Sequence, residues 1–255
     1  MIAISLQSGS NGNCIYVEAG GVRLLLDAGI SARRAEQRLA ARGRDIRQVD
    51  AVILSHDHGD HVRAAGIYQR KFRLPLYATA ATLEVARTRS ALGAMGEVHH
   101  FRRGQELRFG KVRVHTIPTP HDGVDGVAFV VEAEGRRLGV LTDLGHVFGG
   151  LGGIIASLDA VFLESNHDVE MLARGSYPPA VKQRIRGPGG HLSNVEAAEL
   201  LGSSAGPGLK WACLAHLSQE NNAPGLALRT HREILASRLP LLVAGRYAAT
   251  DALEV

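Results

Sequence analysis

The chain has few cysteines and no long apolar run. Its 255 residues include two cysteines, Cys14 and Cys213, each inside an apolar segment. Two isolated cysteines provide neither a disulfide framework nor a thiolate zinc site, so we expect buried free thiols. No apolar run approaches the roughly 18–20 residues that span a membrane. The first residues also lack the basic start and cleavage site of a secretory signal, so we expect a cytoplasmic protein.

Lysine is scarce as well, although the chain is basic. Arginine supplies 25 of the 29 basic residues, and the formal net charge is +4. The guanidinium group binds phosphate bidentately, which suits a phosphate-bearing partner. Overall composition explains the bias equally well, because alanine and glycine are also abundant. Charge alone therefore selects no function.

Apolar stretches typical of strands alternate with stretches typical of helices. No tandem repeat or long linker divides the chain, so we expect one domain over residues 1–255. The alternation favours an α/β protein built as a four-layer αββα sandwich, and similar strand-rich blocks near residues 14–54 and 112–163 hint at an internal two-fold organisation. Strands are predicted over residues 3–7, 14–29 with a turn at the central glycines, 49–55, 74–79, 111–119, 127–143, 158–165, 209–218 and 239–244, and helices over 31–43, 62–72, 194–204 and 222–236.

A dense group of potential metal ligands follows one predicted strand. The segment "SHDHGDH" places His56, His58, Asp60 and His61 within six residues, directly after the apolar run "AVIL". Imidazole and carboxylate donors without thiolates suit zinc, manganese or iron. A polar surface loop is the alternative, but it does not account for so many ligand types at a strand end.

The segment resembles the HxHxDH signature of the metallo-β-lactamase superfamily, and further motifs occur in that family's order along the chain. "LLLDAG" precedes the signature, and "PTPHD", "VLTDLG" and "LAHLSQENN" follow it. The resemblance implies that His56, His58 and His121 hold one divalent metal ion, that Asp60, His61 and His216 hold a second, and that Asp143 bridges them. Asp27 would then orient the segment "SHDHGDH", residues 55–61, without binding metal itself. This segment is called the metal loop. Zinc and manganese both suit these donors.

Departures from other branches of the superfamily narrow the expected activity. Position 58 is histidine where the oxygen-reducing diiron flavoproteins have glutamate, which argues against a redox role. The chain has no room for the inserted domain of the β-CASP nucleases, and it lacks the signal of exported lactamases.

One histidine remains beside the metal ligands, in "GGHLSN". The order Glu164, His191, His216 resembles the phosphodiesterase branch typified by tRNase Z, in which the histidine is catalytic and the glutamate is its partner. A carboxylate fixes the tautomer of an imidazole and favours its protonated form, which can then protonate a leaving oxygen. The resemblance therefore implies catalytic roles for His191, Glu164 and Asp60. The alternative is that His191 belongs only to the turn before a helix, with Ser193 or Asn194 as the N-cap.

Basic residues precede this histidine. Lys182, Arg184 and Arg186, together with Asn194, are candidates for substrate contacts. A solvated helix face explains the three basic residues equally well. The histidines outside these motifs, at positions 99, 100, 115, 146 and 231, are expected at the surface or in caps.

The phrases "GSNGNCIYVE", "SNHDVEML" and "HLSQENNAP" resemble the YycJ-type (WalJ-type) branch of the superfamily. That resemblance implies a metal-dependent phosphodiesterase, with a DNA exonuclease as the main hypothesis and a hydroxide shared by two metals as the nucleophile. Nucleic acid, with DNA favoured over RNA, is the expected partner, and no membrane or organic cofactor is expected. Two alternatives stay open: a small-molecule hydrolase such as a thioesterase or cyclic-nucleotide phosphodiesterase, and a regulatory protein that retains the fold.

Overall fold

Two seven-stranded sheets form the centre of the protein. The computed structural model describes residues 1–235 and 239–255. Its strands are β1 (Ile2–Gln7), β2 (Cys14–Ala19), β3 (Val22–Leu26), β4 (Ala51–Ile53), β5 (Leu76–Ala78), β6 (Val98–His100), β7 (Glu106–Phe109), β8 (Val112–Pro118), β9 (Val127–Ala133), β10 (Arg136–Leu141), β11 (Ala160–Glu164), β12 (Trp211–Ala215), β13 (Leu241–Val243) and β14 (Leu253–Glu254). The first sheet has the order β14-β1-β2-β3-β4-β5-β6, and the second has the order β13-β12-β11-β10-β9-β8-β7.

Helices cover the outer faces of both sheets. In the described ranges they are α1 (Ala32–Ala40), α2 (Gly59–Val62), α3 (Ala65–Phe72), α4 (Ala80–Arg89), α5 (Leu151–Ala156), α6 (Val169–Arg174), α7 (Pro179–Arg186), α8 (Asn194–Ser204) and α9 (Pro224–Leu235). A short 3₁₀ turn spans Ile46–Gln48.

Alternation along the strands creates the layers. Ile15 and Val17 of β2 point into the core between the sheets, while Tyr16 between them packs toward the helices of the first sheet. In β9, Phe129 faces the other sheet and Val130 faces the helices of the second sheet. Successive side chains of a strand point to opposite faces, so strands covered on both sides are apolar throughout. The αββα sandwich predicted from the sequence is therefore confirmed.

The two halves repeat one strand plan, as the sequence hinted. β2 and β3 form an antiparallel hairpin, and β4 then adds parallel to β3. β9 and β10 form the second hairpin, and β11 adds parallel to β10. Each hairpin is followed by an aspartate with positive φ, Asp27 at 67° and Asp143 at 55°. The corresponding segments "LLLDAG" and "VLTDLG" thus occupy equivalent positions in the two sheets.

Two predicted helices differ from those observed. The helix predicted over residues 62–72 is divided between α2 and α3, because the Ala64 N–H donates to the Ala28 carbonyl and not to its own helix. The Ala28 N–H in turn donates to the His61 carbonyl. These two hydrogen bonds hold the metal loop against the end of β3. The helix predicted over 222–236 begins at Pro224 and is described as far as Leu235; Ala236 lies outside the described residues.

Several short elements had no clear sequence signal, namely α4, α5, α6, α7, β6, β7 and β14. Both cysteines are buried free thiols, as expected. His231 is wholly buried, contrary to expectation, because its Nδ1 contacts the Ala227 carbonyl one turn earlier in α9. None of the helices in the described ranges is both long and apolar enough to cross a membrane.

Candidate metal centre and active-site cleft

The potential metal ligands converge because they follow strands that end at the same edge of the sandwich. Parallel strands present their carboxyl ends together, and ligands of open α/β sheets collect there. The metal loop follows β4, Asp143 follows β10, and His216 follows β12. His121 lies in the connection between β8 and β9. Residues that are far apart in the chain therefore share one site.

Three imidazoles form the first ligand cluster. The ligand atoms of His56, His58 and His121 lie within 4.8 Å of one another. His121 Nε2 is 3.3 Å from His58 Nδ1. In two of these rings the other nitrogen has a hydrogen-bond partner within the protein. His56 Nδ1 contacts Ser55 Oγ at 2.9 Å, and His121 Nδ1 contacts the Gly190 carbonyl at 2.8 Å. Fixing one ring nitrogen aims the other at the cluster.

One carboxylate and two imidazoles form the second ligand cluster. Asp60 Oδ2 lies 3.5 Å from His61 Nε2 and 3.3 Å from His216 Nε2. The Asn13 amide also reaches this cluster, 3.2 Å from Asp60 Oδ2. Asp60 and His61 lie within the short helix α2, and His216 has a left-handed backbone with φ of 54° directly after β12.

Asp143 lies between the two clusters. Its Oδ1 is 3.6 Å from His121 Nε2, and its Oδ2 is 3.3 Å from His61 Nε2. Oδ1 also lies 3.5 Å from His216 Nδ1, so the carboxylate contacts residues of both clusters. This is the position that the resemblance implies for a bridging ligand.

The donor set is of the kind that binds divalent metal ions. His56 Nε2 and Asp143 Oδ2 are two of the seven buried side-chain atoms that have no hydrogen-bond partner in the described part of the chain, and both face the ligand clusters. Buried polar atoms normally have a partner, so these two are expected to meet a group that the protein itself does not supply. Zinc–nitrogen bonds of about 2.0–2.1 Å in a tetrahedron separate neighbouring ligand atoms by about 3.3 Å. The closest observed separations have this length.

Burial and charge act differently on the histidines of the two clusters. Burial, with the neighbouring imidazoles of His61 and His121, holds the pKa of His56 well below its ordinary value. Burial also opposes a charge on His216, but Asp143 and Asp60 outweigh it and raise the pKa of His216 to about 10. His56 therefore presents a neutral nitrogen, whereas His216 attracts positive charge, whether a proton or a metal ion.

Asp27 supports the metal loop, as the resemblance implies. Its Oδ2 accepts from His61 Nδ1 at 2.7 Å and from Ser55 Oγ at 2.9 Å, while its Oδ1 accepts from the Ser55 N–H at 2.8 Å. The loop also packs against Gly29, where a Cβ atom would lie 1.6 Å from the Asp60 carbonyl oxygen. A side chain at position 29 would displace the loop.

His191 and Glu164 form a hydrogen-bonded pair at the edge of the clusters. His191 Nδ1 lies 2.8 Å from Glu164 Oε1. Glu164 is wholly buried and also accepts the backbone N–H groups of Asp143, Leu144 and Leu192. Burial alone would raise the pKa of Glu164, but the imidazoles of His191 and His216 hold it well below its ordinary value. With its oxygens occupied in this way, Glu164 orients His191 and leaves Nε2 free.

The turn before α8 places His191 through close backbone contacts. The His191 N–H donates to the Ile185 carbonyl at 3.0 Å. A Cβ atom on Gly190 would lie 2.0 Å from that same carbonyl oxygen, so glycine is required there. Ser193 is the N-cap of α8 and forms a capping box with Glu196.

A cleft of about 440 Å³ opens over the clusters and is lined by Asp60, Asp143, His191 and His216. Arg184 lines it too, and its guanidinium pairs bidentately with Asp122 at 2.5 and 3.1 Å. Arg89 also lines the cleft and pairs with the buried Asp57. Sequence reasoning missed Arg89, Tyr177, Asn166 and Ser10, since nothing in their local sequence marks them as neighbours of the cleft.

The other predicted substrate contacts lie elsewhere. The Lys182 ammonium donates to the Ala173 carbonyl, and Arg186 lines separate surface hollows. Asn194 is wholly buried, and its amide exchanges hydrogen bonds with Asn222 and accepts from Ser165 Oγ. These bonds position the start of α8, so the expectation that Asn194 contacts substrate is corrected.

Comparison with known proteins identifies relatives of the whole fold. Residues 22–212 match the family described as the beta-lactamase superfamily domain. The chain is 36% identical over 227 residues to exodeoxyribonuclease WalJ of Streptococcus pneumoniae serotype 2 strain D39, covering 88% of this chain and 84% of that protein. It is 33% identical over 233 residues to exodeoxyribonuclease YycJ of Bacillus anthracis, covering 91% and 88%.

A solved structure shows the same fold at low identity. The metallo-beta-lactamase fold protein YhfI from Bacillus subtilis superposes with a TM-score of 0.74 and 16% identity, covering 98% of this chain and all of that one.

Metal content will separate ligands from their neighbours in the cleft. We expect His56→Ala to lose about one ion per chain, because it removes a buried donor with no other role for its Nε2. His191→Ala should keep the wild-type content. The measurement is elemental analysis of protein reconstituted with zinc or manganese.

The comparison of the two variants can also give the opposite answer. Asp143, Glu164, His191 and His216 present ligand atoms within 4.8 Å of one another. A His191→Ala protein that loses as much metal as His56→Ala would make His191 a ligand.

Proposed function

The chain belongs to the beta-lactamase superfamily, and we propose that it is a two-metal phosphodiesterase that cleaves nucleic acid, with DNA favoured over RNA. The observation that carries this proposal is the His191–Glu164 pair beside a full set of seven potential ligands. Support also comes from two relatives named exodeoxyribonucleases, which match along nearly the whole chain. In this proposal residues 1–255 act as one hydrolase domain.

Seven side chains are proposed to hold two divalent ions, zinc or manganese. When bound, such ions polarise phosphoryl oxygens and lower the pKa of a coordinated water to about 7. His56, His58 and His121 would hold one ion, Asp60, His61 and His216 the other, and Asp143 would contact both.

The protein's own groups would orient the substrate and move protons. Glu164 holds the proton on His191 Nδ1, which leaves Nε2 directed at the cleft. A protonated Nε2 would donate to the leaving oxygen as the phosphodiester bond breaks. Asp60 lines the cleft and would accept a hydrogen bond from the attacking water.

Arginines at the rim would bind the phosphate backbone. Arg184 and Arg89 both line the cleft, and each is paired with one carboxylate. A guanidinium has five N–H donors, so donors remain for a phosphate beside the existing pair. The sequence predicts a cytoplasmic location, and this prediction is consistent with a nucleic-acid substrate.

A hydrolase of small phosphodiesters is the second candidate. The cleft volume of about 440 Å³ favours it, because this is the size of pockets that hold small ligands. The His191–Glu164 pair serves phosphate chemistry in either case and argues against a thioesterase. The complete ligand set argues against a regulatory protein without catalysis.

One set of assays separates these candidates. Protein loaded with manganese or zinc is incubated with end-labelled single- and double-stranded DNA, with RNA, and with bis(p-nitrophenyl) phosphate. We expect DNA to be shortened from an end and the small ester to be hydrolysed slowly. Hydrolysis of the small ester alone would favour the second candidate. No turnover of any substrate would contradict both.

Replacing His191 tests the proposed proton donor. We expect His191→Ala to lower kcat on DNA by ~10²–10⁴-fold, the usual contribution of acid–base catalysis, with metal content intact. His146→Ala is the matched control, because His146 contacts the nearby Pro188 carbonyl but is exposed outside the lining of the cleft. Equal activity of the two variants would remove His191 from the mechanism.

Two arginines in the last turn of α7 test the phosphate contact. Arg184 lines the cleft and Arg186 does not. We expect Arg184→Gln to reduce the slope of log affinity against log salt by about one, because one phosphate contact is lost. Arg186→Gln should leave the slope unchanged. The measurement is DNA binding by fluorescence anisotropy between low and moderate salt, and equal slopes for both variants would exclude a specific role for Arg184.

A further inference from the structure

A second cavity adjoins the cleft at the residues that follow the last potential ligand. It has a volume of about 310 Å³ and shares Ser218 with the metal cleft. Leu217 forms part of its wall directly after His216, and the segment 243–247 forms the facing wall. This size is at the lower end for ligand pockets, ~300–1,000 Å³. The catalytic scheme above uses none of these wall residues.

Tyr247 stands at the rim of this cavity with an exposed ring on a fixed backbone. It is 69% exposed, the largest value among the big apolar side chains of the described residues. Its carbonyl accepts from Arg38 Nη2 at 2.7 Å, and the Gly245 carbonyl accepts from the Ser8 N–H at 3.1 Å. The phenol hydroxyl donates a hydrogen bond to Gln219 Oε1 at 3.3 Å.

The same segment also carries a positive charge, at Arg246. The Arg246 guanidinium donates to Asn11 Oδ1 at 3.1 Å and to the Leu217 carbonyl, which places the cation between the N-terminal loop and the wall of the cavity. Apolar contacts are offered by Leu217, Pro224, Val243 and Ala244. An exposed aromatic ring, an apolar wall and a nearby cation are together the features that bind a single-stranded base and its backbone.

We propose that this cavity, the Tyr247 subsite, binds one nucleobase of a single-stranded substrate, next to the phosphate held in the metal cleft. The base stacks on the Tyr247 ring, and the Gln219 amide lies within reach of its polar edge. This inference rests on the proposed function and adds to it a site that grips the strand by its bases. A nucleobase is preferred to an apolar peptide because the subsite adjoins the metal cleft, with which it shares Ser218.

Abasic substitution tests the subsite directly. Metal-loaded protein is titrated with short fluorescent DNA strands whose phosphorothioate linkages resist cleavage and in which one base at a time is replaced by an abasic site. We expect one position near the end at which the abasic change weakens wild-type binding about 5- to 100-fold. Tyr247→Leu should bind intact and abasic strands equally, and Tyr247→Phe should behave as the wild type.

The activity and stability of Tyr247→Leu distinguish a failure of the Tyr247 subsite from a failure of the proposed function. Hydrolysis of bis(p-nitrophenyl) phosphate and the thermal midpoint should stay at wild-type levels in Tyr247→Leu, because the side chain is exposed and outside the ligand set. A Tyr247→Leu protein that retains the full abasic penalty, or a wild type that shows none at any position, would overturn the subsite. Failure to cleave any phosphodiester, with the base-dependent binding intact, would overturn the proposed function and leave the subsite supported.

Discussion

Two buried carboxylates hold the loops of the site, one in each half of the sandwich. Asp27 accepts three hydrogen bonds from Ser55 and His61, which shapes the loop after β4. Glu164 accepts the N–H groups of Asp143, Leu144 and Leu192 and the imidazole of His191. A buried carboxylate is costly unless donors surround it, so each one forces nearby loops to turn their N–H groups and imidazoles inward. The positions of the potential ligands follow from these two requirements.

Backbone conformation carries part of the same task. Asp27, Asp143 and His216 each follow a strand and each have positive φ. Such conformations are uncommon for residues other than glycine and persist where the surroundings over-determine them. Leaving the strand in this way turns the side chain out of the alternation of the sheet and toward the gap between the two sheets. The repeated use of the turn after β3 and β10 reflects the shared plan of the two halves.

Acidic and basic side chains occupy different parts of the cleft. Asp60 belongs to the second cluster and Asp143 lies beside it, whereas Arg184 and Arg89 line the cleft while paired with Asp122 and Asp57. Asp122 also lies 3.4 Å from His58 Nε2, so the rim arginine and a potential ligand share one acid. If the proposed phosphate contact forms, binding of an anionic strand at Arg184 would be linked to the organisation of the first cluster through this single side chain.

The sequence by itself determined the types of donor and their place at strand ends. The metal loop is predictable because its four donors lie within six residues. The strands are predictable because burial on both faces leaves continuous apolar runs. His121, Asp143 and His216 could be predicted only from the order of motifs in a related family, since each is an ordinary residue in its local context. The role expected for Asn194 was wrong because a polar residue at a helix start is equally suited to buried hydrogen bonds.

Only the tertiary structure decided which side chains share the cleft. Arg184 lines it and Arg186 does not, although both lie in the last turn of α7. Arg89 reaches it from a helix nearly a hundred residues earlier in the chain, and Tyr247 stands beside it from the segment after β13. The direction of a side chain on a short helix or loop depends on contacts with distant strands, and local sequence patterns do not encode those contacts.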